Sequence, residues 1–176
     1  MQADQKKMPL VAAMLKYKKE QVYPFHTPGH KGGRGMEPLL AGELGAGALQ
    51  MDVSLMAELD DIHCPEGCIA AAQTLAAQLY GSDRCFFAVN GTTQAIQAML
   101  MTAVKPGGKV LIPRNAHRSV AGGLFLGDLE PVYVLPQFDA VFGINTQVTA
   151  GQIEEALQKD PSIKAVFLTS PNYYGQ

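Results

Sequence analysis

The chain has 176 residues, 47% of them hydrophobic and 17% charged, with 14 Lys and Arg against 16 Asp and Glu. That length allows about 70% of the surface of the unfolded chain to be buried, and the composition is that of a globular domain. A formal charge of -2 without a basic run excludes an electrostatic footprint for nucleic acid, and no apolar window reaches the ~18 residues of a membrane helix.

No apolar segment with a small-residue cleavage site follows Met1-Gln2-Ala3-Asp4-Gln5-Lys6-Lys7, so the expectation is a cytoplasmic protein without an export signal. Cys64, Cys68 and Cys85 are an odd number and do not suit a disulfide framework. No metal site is expected. Pro65 and Gly67 break the His63-Cys64-x3-Cys68 spacing, and Pro28-Gly29 forbids the helix that would bring His26 and His30 together.

In chain order, residues 8–20 carry Leu10, Val11, Met14, Leu15 and Tyr17 at helical spacing, with Lys16, Lys18 and Lys19 between, and predict an amphipathic helix. A loop rich in glycine and proline follows over residues 23–35. Its His26, His30, Lys31 and Arg34 can meet an acidic group, or the stretch is a solvated linker. Residues 37–59 pattern weakly, with a helix start expected at Asp52-Val53-Ser54. A polar turn over residues 60–67 leads into a helix over 68–80, whose Ile69, Ala72, Leu75, Ala76 and Leu79 form one stripe and which Gly81 ends.

Residues 85–89, Cys-Phe-Phe-Ala-Val, read as a short buried strand, and residues 93–104 as a helix with Ile96, Leu100 and Val104 on one face. Between them lies Asn90-Gly91-Thr92-Thr93-Gln94. Gly91 can take backbone angles closed to other residues. The first helical N–H groups lack partners, and hydroxyls at Thr92 and Thr93 add donors. This is a nest for an anion or an ordinary helix cap.

Further strands are predicted over 109–112, 131–135 and 163–168, alternating with helices over 120–126 and 153–159, the last opened by a capping box at Thr149 and Gln152. Such alternation gives a parallel sheet covered on both faces. Ligands bind such sheets beyond the carboxyl ends of the strands, which places residues 91–94, 115–117 and 169–172 on one rim. His117 is either a loop histidine or part of that site.

Together these stretches resemble the Orn/Lys/Arg decarboxylases of the fold type I pyridoxal-phosphate class. The resemblance is carried in order by Pro24-Phe25-His26-Thr27-Pro28-Gly29-His30-Lys31, Leu59-Asp60-Asp61-Ile62-His63-Cys64-Pro65-Glu66-Gly67, Leu79-Tyr80-Gly81-Ser82-Asp83-Arg84, Phe87-Ala88-Val89-Asn90-Gly91-Thr92-Thr93, Arg114-Asn115-Ala116-His117-Arg118-Ser119 and Thr169-Ser170-Pro171-Asn172-Tyr173-Tyr174-Gly175. It implies an incomplete three-layer α/β/α domain with a parallel sheet. Residues 1–35 would form an N-terminal helix and Gly/Pro/His-rich loop, and residues 36–176 the first part of the cofactor-binding large domain.

The resemblance further implies pyridoxal 5'-phosphate as cofactor, its phosphate among Gly91, Thr92, Thr93 and Gln94, and His117 stacked on its ring. Family members usually carry a small hydroxyl residue where Gln94 stands, and a glutamine amide can still donate. His26, His30 and Lys31 become candidates for the substrate entrance or a subunit interface.

The implied reaction is decarboxylation of lysine, arginine or ornithine by a homodimer or higher homo-oligomer. Another fold type I reaction and a non-catalytic fragment acting in oligomerisation are the alternatives. The family's Schiff-base lysine and its aspartate on the ring nitrogen follow the last strand here, so neither is expected within residues 1–176. The family also pairs its first strand with later ones, so the run over 85–89 is expected to expose an unpaired edge.

Overall fold

The computed structural model describes residues 4–176, which divide into two compact units, one ending at Phe87 and the other spanning Ala88–Gln176. The first unit is helical. Its α1 (Pro9–Glu20) opens with Pro9 in the first turn, where no N–H is missed. It closes with Lys18 and Lys19 near the carbonyl end, where positive charge is favoured.

Two short helices follow, α2 (Pro38–Leu44) and α3 (Ala46–Leu49). They replace the helix expected to begin at Asp52. The Glu37 carboxylate accepts the Leu40 N–H at 3.0 Å and Pro38 takes the first position, a start signal that Gly42, Gly45 and Gly47 had masked. Asp52 instead accepts from His30.

Helix α4 (Cys68–Tyr80) has the limits its stripe predicts. Gly81 takes φ 66° there, and the Ser82 N–H reaches the Ala77 carbonyl at 2.9 Å. At its other end the cap comes from eight residues upstream. The Asp60 carboxylate accepts N–H groups of Asp61 and Glu66 on one oxygen, and of Gly67, Ile69 and Ala70 on the other, at 2.8 to 3.2 Å. Desolvation raises its pKa, but those backbone donors outweigh that and hold the carboxyl well below the usual carboxylate range.

In the second unit, β1 (Lys109–Pro113) is the middle strand of a parallel sheet, with β2 (Glu130–Val134) on one side and β5 (Ile163–Val166) on the other. Val110, Leu111 and Ile112 are all buried, as a strand covered on both faces requires. Val110 and Ile112 join Leu100 of α5 (Gly91–Ala103), Val104 just after it, and Val120 and Leu124 of α6 (Arg118–Leu126) in one cluster. Leu111 points to the opposite face.

Helix α7 (Ala150–Lys159) packs on β2 and opens with the predicted capping box. The Gln152 N–H donates to the Thr149 hydroxyl, and the Thr149 N–H to the Gln152 side chain. Strand order β2-β1-β5 with right-handed crossovers sends α6 and α7 to opposite faces, the α/β/α layering expected. A short antiparallel hairpin, β3 (Phe138–Asp139) and β4 (Ile144–Asn145), was not expected.

Residues 85–89 differ from expectation. They form no strand, and Phe86 and Val89 are 75% and 68% exposed. The apolar run is there but no strand of residues 4–176 lies beside it, and backbone groups without a partner do not make a ladder.

Candidate functional site

Helices α5 and α6 meet through glycine. A methyl group on Gly122 would lie 2.7 Å from Gln97 Nε2, and one on Gly123 would lie 2.7 Å from Leu100 Cδ1. Gly123 meets both Gln97 and Leu100, and the turn after α5 meets the turn after α6, the Gly107 N–H donating to the Asp128 carbonyl at 2.6 Å, so the two helices run the same way. At 1.5 Å per residue, those contacts lie about 9 to 14 Å from Gly91 along α5 and about 8 to 9 Å from His117 along α6. Both amino termini therefore lie at one end of the unit. Helix α6 leaves the carboxyl end of β1, so that end is the rim predicted for ligands.

At the start of α5, Gly91 has φ +70°, and beyond its chain neighbours and its own helix's backbone nothing among the described residues lies within 4 Å of where its Cβ would stand. The helix has no side-chain cap. Among the described residues, neither Thr92 nor Thr93 caps its own helix, so the N–H groups of the first turn face open space with two hydroxyls beside them. Gln94 turns back, its Oε1 accepting the Asn90 N–H at 3.0 Å. That fixes the amide and leaves its NH2 group to donate.

His117 is the N-cap of α6 and is exposed. Its Nδ1 accepts the Ser119 N–H at 3.2 Å and the Ser119 hydroxyl at 2.8 Å. Beyond the carboxyl end of β5, which lies beside that of β1, Asn172 closes the last loop. Its Oδ1 accepts the N–H groups of Tyr174 and Gln176, both at 3.0 Å.

The other sequence candidates lie in the first unit. His26 Nδ1 donates to the Thr27 carbonyl, so its Nε2 accepts the Tyr17 hydroxyl at 3.0 Å. The Lys31 ammonium donates to the His26 carbonyl at 2.8 Å. His30 Nδ1 accepts the Gly33 N–H and its Nε2 donates to Asp52, each at 3.1 Å. Arg34 lies over the Tyr23 ring. The loop read as a flexible linker or an anion site is thus tied down by its own polar groups, beside an open cleft of about 600 Å³ lined by Lys18, Lys19, His26, Lys31, Arg34 and Asp52.

Sequence reasoning missed two residues. Asp60 holds the start of α4 across seven to ten residues, and its only signal was a polar turn before an apolar stripe. Ser119 lies beneath His117 and was read only as part of a loop.

A family model described as "Orn/Lys/Arg decarboxylase, major domain" matches residues 8–176. The chain is 38% identical over 171 residues to an arginine decarboxylase of Halalkalibacterium halodurans, covering 97% of this chain and 35% of that protein. It is 30% identical over 154 residues to the inducible lysine decarboxylase of Escherichia coli, covering 84% of this chain and 21% of that protein. Among solved structures, the constitutive lysine decarboxylase of E. coli superposes with a TM-score of 0.76 at 29% identity, over 94% of this chain and 25% of that one. The chain spans about a third of the length of the arginine decarboxylases it matches.

Proposed function

This chain belongs to the Orn/Lys/Arg decarboxylase family, and from that premise we propose that it grips the phosphate and faces the ring of pyridoxal 5'-phosphate. The enzyme it serves removes the α-carboxylate of lysine, arginine or ornithine, as a homodimer or higher homo-oligomer. Bound pyridoxal phosphate supplies an electron sink for the pair left on the substrate's α-carbon when carbon dioxide departs.

The observation that carries this reading is the uncapped start of α5. A left-handed Gly91 with open space around it, free first-turn N–H groups and the Thr92 and Thr93 hydroxyls fit a phosphate, as the alternative of a self-capped helix does not. Hydrogen bonds to a charged group contribute about 1.5 to 3 kcal/mol each. Gln94 adds its amide NH2, and His117, at the same end of the unit, is assigned to the ring. No lysine of this chain is assigned a covalent role. Lys31 serves the His26 carbonyl and Lys109 is paired with Asp160.

Calorimetry with inorganic phosphate and with pyridoxal phosphate tests this. The two are expected to compete for one site, and borohydride to leave the bound cofactor unattached. Gly91→Ala is expected to weaken both, because a left-handed backbone costs a residue with a side chain about 1 to 2 kcal/mol. Absence of binding, or equal binding by the variant, overturns the phosphate site. A lysine reduced onto the cofactor overturns the assignment of no covalent role.

A further inference from the structure

Ser119 is the buried polar residue of the described chain, 2% exposed, and its hydroxyl goes to the ring of exposed His117. Two donors, the Ser119 hydroxyl and the Ser119 N–H, converge on Nδ1. A nitrogen that accepts cannot carry the ring proton, so that proton sits on Nε2.

Capping alone does not explain the pair. Serine, threonine, aspartate or asparagine at position 117 would serve the Ser119 N–H with a shorter side chain.

We propose that Ser119 is a positioning residue, holding the His117 imidazole in one plane and as the Nε2–H tautomer for the cofactor ring. This rests on the assignment of His117 to that ring made above. In that form Nδ1 is the acceptor and Nε2 carries the ring N–H. Ser119 itself touches no ligand.

The test combines ring 15N shifts of His117 with binding of pyridoxal phosphate and of inorganic phosphate, on the whole chain. His117→Gln assigns the signal among the four histidines. The wild-type chain should show one tautomer, with Nδ1 unprotonated. In Ser119→Ala only the weaker 3.2 Å donor remains, so the ring signal should move toward a mixture of tautomers. Pyridoxal phosphate affinity should fall about 2- to 12-fold, the range one hydrogen bond carries, while inorganic phosphate affinity stays the same. Ser119→Thr keeps the hydroxyl and should restore both, which separates positioning from a folding defect.

Unchanged tautomer or unchanged cofactor affinity in Ser119→Ala overturns the proposal, even where the variant is less stable. A wild-type chain that binds no pyridoxal phosphate overturns the underlying reading and the proposal with it. That outcome is distinct from one in which wild type and variant bind alike.

Discussion

Gly123→Ala is the sharpest probe of how α5 and α6 come together. The added methyl would lie 2.7 Å from Leu100 Cδ1 and 3.4 Å from both Leu100 Cβ and Gln97 Cα. Leu100 is 3% exposed and packed in the main cluster, so it has little room to give way. Overpacking of this kind costs about 1 to 3 kcal/mol, against a gain of about 1 kcal/mol from replacing glycine within a helix. The net expectation is a loss of about 0 to 2 kcal/mol. Gly122→Ala is the control, because the new methyl meets only the mobile end of Gln97 and the helix gain survives.

The two variants should therefore differ by about 1 to 3 kcal/mol. With a urea dependence of about 2 kcal/mol per molar, their midpoints, followed by far-ultraviolet circular dichroism, should separate by roughly 0.5 to 1.5 M. Leu100→Val, itself costing about 1 kcal/mol, should shrink the Gly123→Ala penalty. Equal midpoints for the two glycine variants, or a penalty indifferent to Leu100→Val, refute the packing argument.

Two further predictions concern charge. Lys109 donates to Asp160 at 2.8 Å, and that bond, with help from Ser162, lowers the Asp160 carboxyl from 3.8 to about 2. A depressed carboxylate stabilises the fold above its unfolded value, and the contribution is lost as pH falls from 3.8 toward 2, where the unfolded chain takes up its proton first. The difference in urea midpoint between wild type and Asp160→Asn should be constant near neutrality and close within that window. Asp60→Asn should leave α4 with an NH2 group facing backbone donors, and hydrogen exchange at Ile69 and Ala70 should quicken relative to the far end of the helix.

Where local chemistry decides, the sequence was readable. The apolar stripe and Gly81 delimit α4, Thr149 and Gln152 mark the start of α7, and the run from Val110 to Ile112 reads as a strand buried on both faces. The start of α5 was legible because an unbroken apolar run gives way, around a glycine, to apolar residues three and four apart. The rest depends on partners distant in sequence. Asp60 reaches Ala70 across ten residues, and the hairpin strands of two residues each are too short to show a period. Residues 85–89 have strand composition, yet composition does not supply a neighbour. Ser119 gave no sign of its bond to His117, because a contact between two side chains leaves no trace in the apolar period.

The parallel course of α5 and α6 has an electrostatic consequence. Each helix start carries roughly half an elementary charge, so two at one end place about one positive charge there on a chain whose formal charge is -2. That charge belongs to peptide groups, so acetylating lysines or shifting pH across the carboxylate and histidine ranges leaves it in place. Salt screens it over a Debye length of about 10 Å at 0.1 M. Ionic strength, more than pH, is then the variable that should govern how fast an anion arrives at that end.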